Sequence, residues 1–325
     1  MVFLENVEGV LKGEPAYRVK QAKEAVFKQF ISDWGEAKNL PAGLRKALEE
    51  KCPLEIEAEF FESGDGQTVK ALVDLDDGEK IETVLMKETV CVSCQVGCGM
   101  GCDFCATGKM GFKRNLSVDE IVEQVLLFLR KGKQVSHVVF MGMGEPFLNY
   151  ENVIFAAKVF NEDLGIAARK ISVSTCGIVP GIKKFADEKM QMNLAISLHA
   201  SNSELRDKFM PVNKRFSMGD VLDAVREYIE KTGRKVMIEY VLLKGVNDNM
   251  AQAKELGKLL KSKLRHLFMV NLIVYNSTGG NYLRPESKRV SDFRKALESE
   301  GITVTQRFRM GHDIEGACGQ LRARH

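Results

Sequence analysis

Apolar residues change their spacing along the chain, and each change predicts a different kind of element. Between residues 15 and 51, Val19, Ala22, Val26, Phe27, Phe30 and Ile31 recur at helical intervals, and Pro41 opens a second helix. Over residues 53–86 the period becomes two: PLEIEAEFF, TVKALVDL and IETVLM alternate apolar and polar positions and are parted by Gly-Asp-Gly and Asp-Asp-Gly turns, which predicts a three-stranded meander. Ser117 with Glu120 forms a capping box, after which Val118, Ile121, Val122, Val125, Leu126 and Leu129 make one helical stripe. Beyond it, near-continuous apolar strands are expected at 137–142, 170–175, 193–199, 235–243, 268–275 and 302–308. Helices are expected between them at about 151–161, 180–190, 217–232, 250–263 and 288–300.

Apolar strands alternating with amphipathic helices predict an α/β fold with a parallel sheet covered on both faces. Six units are too few for a closed eight-fold barrel, so the expected architecture is an open, partial (β/α)6 barrel, with chemistry collected at the C-terminal strand ends. The expected organisation is a small helical accessory domain over residues 1–52, a β-meander extension over 53–90 and a catalytic barrel over 91–325. With 325 residues and 45% apolar content the chain can bury a full core, and a net charge of +3 neither demands nor excludes a nucleic-acid partner. Acidic residues in MVFLENVEGVLKGEP argue against a signal peptide, and no run of 18 uncharged apolar residues predicts a membrane span. A cytoplasmic protein is expected, in which eight cysteines bind metal or react rather than form disulfides.

Five of those cysteines fall in CVSCQVGCGMGCDFC, residues 91–105. Cys98, Cys102 and Cys105 form C-x3-C-x2-C on what reads as a loop outside any helix or strand, and three thiolates is the informative number. Structural zinc takes four ligands, as does an electron-transfer iron–sulfur cluster. A [4Fe-4S] cubane held by three cysteines keeps one iron open, and this is the spacing of radical S-adenosylmethionine enzymes. The competing reading is zinc bound by the two pairs Cys91/Cys94 and Cys102/Cys105. Phe104 lies between the second and third ligands as an apolar shield.

Unusual residues sit at the predicted strand ends: MGMGEP (141–146) with Gly144 and Glu145, STCG (174–177) beginning at Ser174, SLHA (197–200) with Ser197, Leu198 and His199, and YNSTGG (275–280) with Asn276. Cys318, in GHDIEGACGQL, is flanked by Ala317 and Gly319 outside any periodic element, as an approachable nucleophile must be. Cys91 precedes the first cluster position by seven residues and is a second reactive thiol. Cys52, Cys94 and Cys176 read as inert small hydrophobes.

Taken together, CVSCQVGCGMGCDFCATG, GFKRNL, MGMGEP, ISVSTCGIVPGI, LAISLHA, MPVNKRF and GHDIEGACGQL resemble the RlmN/Cfr family of radical S-adenosylmethionine RNA methyltransferases, from about Glu14 to the end of the chain. The resemblance implies methylation of C2 (RlmN type) or C8 (Cfr type) of an adenosine in 23S rRNA, and for some RlmN-type members of tRNA as well. These carbons lack a lone pair and cannot displace a methyl group from a sulfonium, so a carbon radical is needed. The implied scheme uses two S-adenosylmethionine molecules per turnover. Cys318 first takes a methyl group by substitution, and a radical formed at the cluster then activates that methyl for addition to the base. The RNA is thereby bound covalently until attack by Cys91 on the Cys318 sulfur releases it.

By motif, Glu82 in IETV matches the family's proposed proton acceptor, a role Cys91 could equally fill. Gly144, Glu145, Ser174, Ser197, Leu198, His199 and Asn276 match cofactor contacts, and Cys98, Cys102 and Cys105 the cluster ligands. The resemblance also implies an electron donor such as flavodoxin or ferredoxin, no membrane and a monomer. The N-terminal helices, with Arg18, Lys20, Lys23 and Lys28, are read as phosphate contacts, together with Lys113, Arg114, Arg307, Arg309, Arg322 and Arg324. Cys94 and Cys176 depart from the family's usual serine or threonine. YNST and CATG lean towards Cfr-like sequences, whereas MGMGEP, ADEKMQMNLAISLHA and GHDI lean towards RlmN-like ones, so C2 is the expected position. The rival readings are a zinc-dependent RNA-binding module and a radical enzyme acting on a small molecule.

Overall fold

The computed structural model describes residues 7, 9–54, 56–307 and 310–323. The two predicted N-terminal helices are α1 (Ala16–Phe27) and α2 (Ala42–Lys51), the latter opened by Pro41. Trp34 between them is fully buried, and its Nε1 donates to the Cys52 carbonyl at 2.8 Å.

The meander forms as β1 (Ala58–Glu62), β2 (Thr68–Asp74) and β3 (Lys80–Met86), paired antiparallel. It does not stand apart from the barrel. β3 pairs antiparallel with β4 (Thr89–Val92), and β4 pairs in parallel with β7 (His137–Phe140). The six predicted strands follow the expected chain positions: β7, β8 (Ile171–Thr175), β9 (Asn193–Ser197), β10 (Val236–Leu242), β11 (Phe268–Val274) and β12 (Val304–Gln306). Together with β4 they make seven neighbouring parallel strands, the sheet running β1-β2-β3-β4-β7-β8-β9-β10-β11-β12. β4 was missed because Cys91 and Val92 read as part of the cysteine loop. Residue 308, the expected end of the last strand, lies outside the described residues.

A second correction concerns the first cluster cysteine. Cys98 is the last residue of β5 (Gln95–Cys98), which pairs antiparallel with β6 (Gly111–Asn115). Gly97 makes this hairpin possible: its φ is +72°, and a Cβ there would fall 1.9 Å from the Gly111 carbonyl oxygen.

Helix α3 (Val118–Arg130) begins with the predicted capping box and buries its apolar stripe. Its Arg130 ties the N-terminal region to the barrel by bonding the carbonyls of Ile31 and Leu54 at 3.1 and 3.3 Å, beside an ion pair with buried Glu123. The outer helices are α4 (Tyr150–Glu162), α5 (Val179–Phe185), the short α6 (Ser203–Asp207), α7 (Met218–Thr232), α8 (Met250–Leu264) and α9 (Ser287–Ser299). The helix expected over 180–190 stops at Phe185, because the amides of Asp187 and Glu188 bond back three residues rather than four. One apolar core runs continuously from Val26 and Trp34 through Phe140 and Tyr240 to Phe293. Among the described residues no helix is long and apolar enough to cross a membrane.

Candidate active site

The cysteine hairpin hangs over the C-terminal ends of the parallel strands. After Cys98 the chain turns, the Cys105 amide bonds the Cys102 carbonyl at 3.0 Å, and the Asp103 amide bonds the Phe209 carbonyl at 3.0 Å. Cys98, Cys102 and Cys105 line one cleft of about 950 Å³. Burial pushes the Cys98 thiol up to about 12 and Cys102 higher still, with the neighbouring Cys105 opposing ionisation of both. Cys98 and Cys102, crowded beside a third sulfur, need a cation to become thiolates, which is what a metal cluster supplies. The zinc pairing fits less well, because Cys91 and Cys94 do not line this cleft. Among the described residues no three His, Cys, Asp or Glu side chains converge as ligands of a single ion.

Gly144, Glu145, Ser174, Ser197, His199 and Asn276 line the same cleft, together with Cys318. Gly144 has φ +104°, and a Cβ there would meet the Gln95 side chain at 2.6 Å. Glu145 accepts from the amides of Phe147 and Cys176 at 3.0 and 2.8 Å, and burial raises its pKa against those bonds. Ser174 and Ser197 approach to 3.4 Å across adjacent strands.

His199 has φ +60° and accepts at Nδ1 from the Val241 amide at 3.1 Å, leaving Nε2 to carry the proton. Burial, and then the Arg206 charge, hold it neutral with a pKa of about 3. Leu198 does not line the cleft. It is fully buried, with its amide on the Glu239 carbonyl at 3.1 Å. Asn276 reaches the tail as well, its Nδ2 donating to the Cys318 carbonyl at 3.4 Å.

The tail is stapled over the cleft. Ala106 donates to the Gly319 carbonyl at 2.8 Å, Thr107 Oγ1 to the Leu321 carbonyl at 2.6 Å, and Gln320 Nε2 to the Ser277 carbonyl at 2.9 Å. These bonds bring Cys318 to a wall between two spaces: the cleft holding the cluster thiols, and an open chamber of about 1710 Å³ lined by Lys87, Thr89, Asn271, Gln306 and Arg307. A third, small cavity is lined by both Cys318 and Cys91, which projects from β4. Burial pushes the Cys91 thiol up to about 12, with Cys318 adding to the shift and Arg307 opposing it.

Arg307 is the residue that the sequence reading misassigned. Rather than facing RNA phosphates, its Nη1 donates to Cys318 Sγ at 3.1 Å and its Nη2 to Met141 Sδ at 3.0 Å. Glu239, also in the cleft, was missed, although a lone carboxylate inside VMIEYVLL was a visible signal. Burial raises its pKa, opposed by the Arg307 charge and by Asn271.

Glu82 is not brought to the cleft. It is 1% exposed, its Oε1 pairs with Lys70 at 2.9 Å, and its Oε2 accepts from the amides of Arg322 and Ala323 at 2.7 and 3.3 Å. In this arrangement the carboxylate clamps the tail. Of the basic residues named with it, Lys113 is paired with Glu79, Arg114 with Asp77 and Glu120, and Arg322 with Glu315. Arg309 and Arg324 lie outside the described residues.

The family described as the Radical SAM superfamily matches residues 92–256. A probable dual-specificity RNA methyltransferase RlmN of Dictyoglomus thermophilum is 44% identical over 98% of this chain and 95% of its own length. A ribosomal RNA large subunit methyltransferase N of Nitrosopumilus maritimus is 42% identical, over 95% and 93% respectively. The crystal structure of a radical SAM methyltransferase from Sphaerobacter thermophilus superposes with a TM-score of 0.94 at 42% identity, covering 99% of this chain and 98% of that one. Membership of the superfamily implies a [4Fe-4S] cluster and S-adenosylmethionine, and the three thiols with their open cleft fit both. The chain therefore belongs to the RlmN family and is an S-adenosylmethionine-dependent methyltransferase of the radical type.

Proposed function

We propose that this enzyme methylates C2 of an adenosine in 23S rRNA, and in tRNA as the dual-specificity names of its relatives suggest. The observation that carries this reading is the position of Cys318, beside Arg307 and Cys91 and in the wall between the thiol-lined cleft and the open chamber. A thiol that takes a carbon from one space and delivers it to another belongs at such a wall.

When bound, the cluster and two S-adenosylmethionine molecules supply a methyl group and a means of activating it as a carbon radical, with electrons from a flavodoxin- or ferredoxin-type donor. Cys98, Cys102 and Cys105 would hold the cluster. Gly144, Glu145, Ser174, Ser197, His199 and Asn276 would hold the cofactor, with Leu198 acting through its backbone. Arg307 holds the Cys318 sulfur that would accept the methyl, an S–CH3 bond forming there as the methyl's bond to the sulfonium breaks. Once that carbon is joined to C2, with loss of the ring proton and one electron, Cys91 gives up its own proton and attacks Cys318 Sγ. The S–C bond breaks with its electron pair on the carbon, which takes up a proton so that the base leaves methylated, and the two sulfurs are left as a disulfide. Glu82 becomes available as proton acceptor only when residues 322–323 release it. We assign phosphate contacts to the N-terminal region, residues 1–52, where Lys20, Lys23 and Lys28 border one groove, leaving 53–90 as an extension of the barrel in 91–325. The target base must be unstacked to reach the chamber. This reading puts the enzyme where its RNA is, in the cytoplasm.

The test is mass spectrometry of digested rRNA and tRNA from a host lacking its own enzyme, with and without this gene. 2-Methyladenosine is expected. 8-Methyladenosine in its place would assign the C8 reaction, towards which YNST and CATG lean, and neither product would overturn the RNA reading.

A further inference from the structure

Arg206 is fully buried on the five-residue helix α6, and none of the ion pairs among the described residues includes it. Its Nε donates to the Leu198 carbonyl at 3.2 Å, its Nη1 to Asn213 Oδ1 at 2.9 Å, and its Nη2 to the carbonyls of Cys176 and Ser197. All of these partners are neutral. Asp207, the adjacent carboxylate, is exposed and accepts from Asn213 Nδ2 at 2.7 Å. The guanidinium is thus bonded only to carbonyl dipoles, with the exposed Asp207 carboxylate acting on it from the next residue, and taking a cation out of water is costly unless an anion stands close by.

The side of the molecule that Arg206 faces supplies one. The segment leaving α6 packs on the cysteine hairpin: the Asp103 amide bonds the Phe209 carbonyl at 3.0 Å, the Phe104 and Phe209 rings meet edge-on at 5.8 Å, and Pro211 lies beside Gly101. The Arg206 charge acts on the thiols of Cys102 and Cys176, both of which line the cleft. Cys176 sits beside the Glu145 carboxylate, and burial keeps its thiol protonated. Besides the exposed Asp207 and the Glu145 carboxylate on the Cys176 amide, the anion on this side is Cys102 in its metal-bound form together with the cluster it would hold.

We propose that Arg206 is the fixed cation of the cluster site, a fully buried guanidinium bonded to the backbone of Cys176, Ser197 and Leu198 at the cleft rim, and that it makes one-electron reduction of the bound cluster easier. Reduction adds a negative charge to a buried anionic assembly, and cluster potentials follow net charge, hydrogen bonding and solvent exposure. A nearby cation stabilises the reduced form more than the oxidised one. Its hydrogen bonds to Cys176, Ser197 and Leu198 also knit the ends of β8 and β9, so Arg206 is a positioning residue for the cofactor rim as well. This inference rests on the family's cluster and is independent of which RNA position is methylated.

The test is an EPR-monitored redox titration of reconstituted protein, with iron content measured alongside. Arg206→Gln removes the charge. Asp207→Asn combined with Asn213→Asp keeps the guanidinium and moves a carboxylate against it at constant net charge. Arg206→Lys keeps the charge but loses the fork of hydrogen bonds. For the first two, at least a tenfold loss in the reduction equilibrium is expected, a midpoint lower by about 59 mV for a one-electron couple, while Arg206→Lys stays close to wild type. Failure of the first two to load iron while Arg206→Lys loads normally would also support a need for charge. Unchanged potentials in loaded Arg206→Gln and in the paired swap would overturn the proposal. So would equal loss of iron in all three variants, which would leave only the hydrogen-bonding role.

Discussion

Replacing Arg307 with methionine isolates the contact on which the proposed Cys318 chemistry depends. The guanidinium donates to Cys318 Sγ at 3.1 Å, while the Arg307 backbone amide is separately held by the Leu272 carbonyl at 2.9 Å, so the side chain can change without freeing the strand end. A hydrogen bond to a charged partner contributes about 1.5–3 kcal/mol, so its loss is expected to slow attack by the Cys318 sulfur by about 10- to 150-fold. The substitution also removes the positive charge that lowers the pKa of buried Glu239, so that carboxyl shifts further towards its neutral form instead of remaining as a bare buried anion. The fold should therefore survive. The assay is the initial rate of iodoacetamide labelling of Cys318 in the native protein near neutral pH, read by peptide mass spectrometry, with Arg307→Lys as the charge-retaining control. Labelling of Arg307→Met at the wild-type rate would refute the assignment, as would equal slowing in Arg307→Lys and Arg307→Met.

Cys91→Ala should leave Cys318 methylation intact and trap an RNA–protein crosslink; normal turnover in that variant would remove Cys91 from the scheme. Glu82→Gln leaves the Lys70 ammonium buried without its partner, a loss of about 3–5 kcal/mol, and frees residues 322–323. Lower thermal stability and faster proteolysis of the tail are expected, and an equally protected tail would show that Glu82 is no clamp. His199 is held neutral, with a pKa of about 3 in the folded chain against the ordinary 6.5. Between those values the unfolded chain binds the extra proton, so this contribution to stability is full above about pH 6.5 and falls as pH drops towards 3 by about 1.4 kcal/mol per pH unit. Denaturant titrations of wild type and His199→Asn should therefore diverge on acidification from neutrality. Parallel stability curves would mean the imidazole is not buried neutral.

The sequence disclosed what is periodic or clustered and little of what depends on three-dimensional proximity. The helices, meander and six parallel strands were legible because burial on one or both faces imposes a spacing on apolar residues. β4 was not, because its four residues carry no period of their own and adjoin a run of cysteines. The thiols of the cleft and the glycine turn at Gly144 announced themselves by motif, and the structure brings them into one space with Cys318. Arg307 and Arg206 carry no local signal, since an arginine's role depends on what its guanidinium meets after folding. Glu82 was chosen by motif, and sequence spacing could not reveal that Lys70 and two tail amides already occupy its carboxylate.

The placement of Cys318 joins these pieces physically. Residue 318 belongs to no helix or strand, so fixing it costs about 1–2 kcal/mol per ordered residue of the tail. The opposing bonds contribute about 0.5–1.5 kcal/mol each. Two of them come from Ala106 and Thr107, directly after the third cluster cysteine. Ordering the hairpin around its metal therefore also orders the thiol that must face it, and a chain without the cluster loses part of what holds the tail. That coupling bears directly on the proposed scheme, in which one sulfur has to meet first the cleft, then the base, then Cys91.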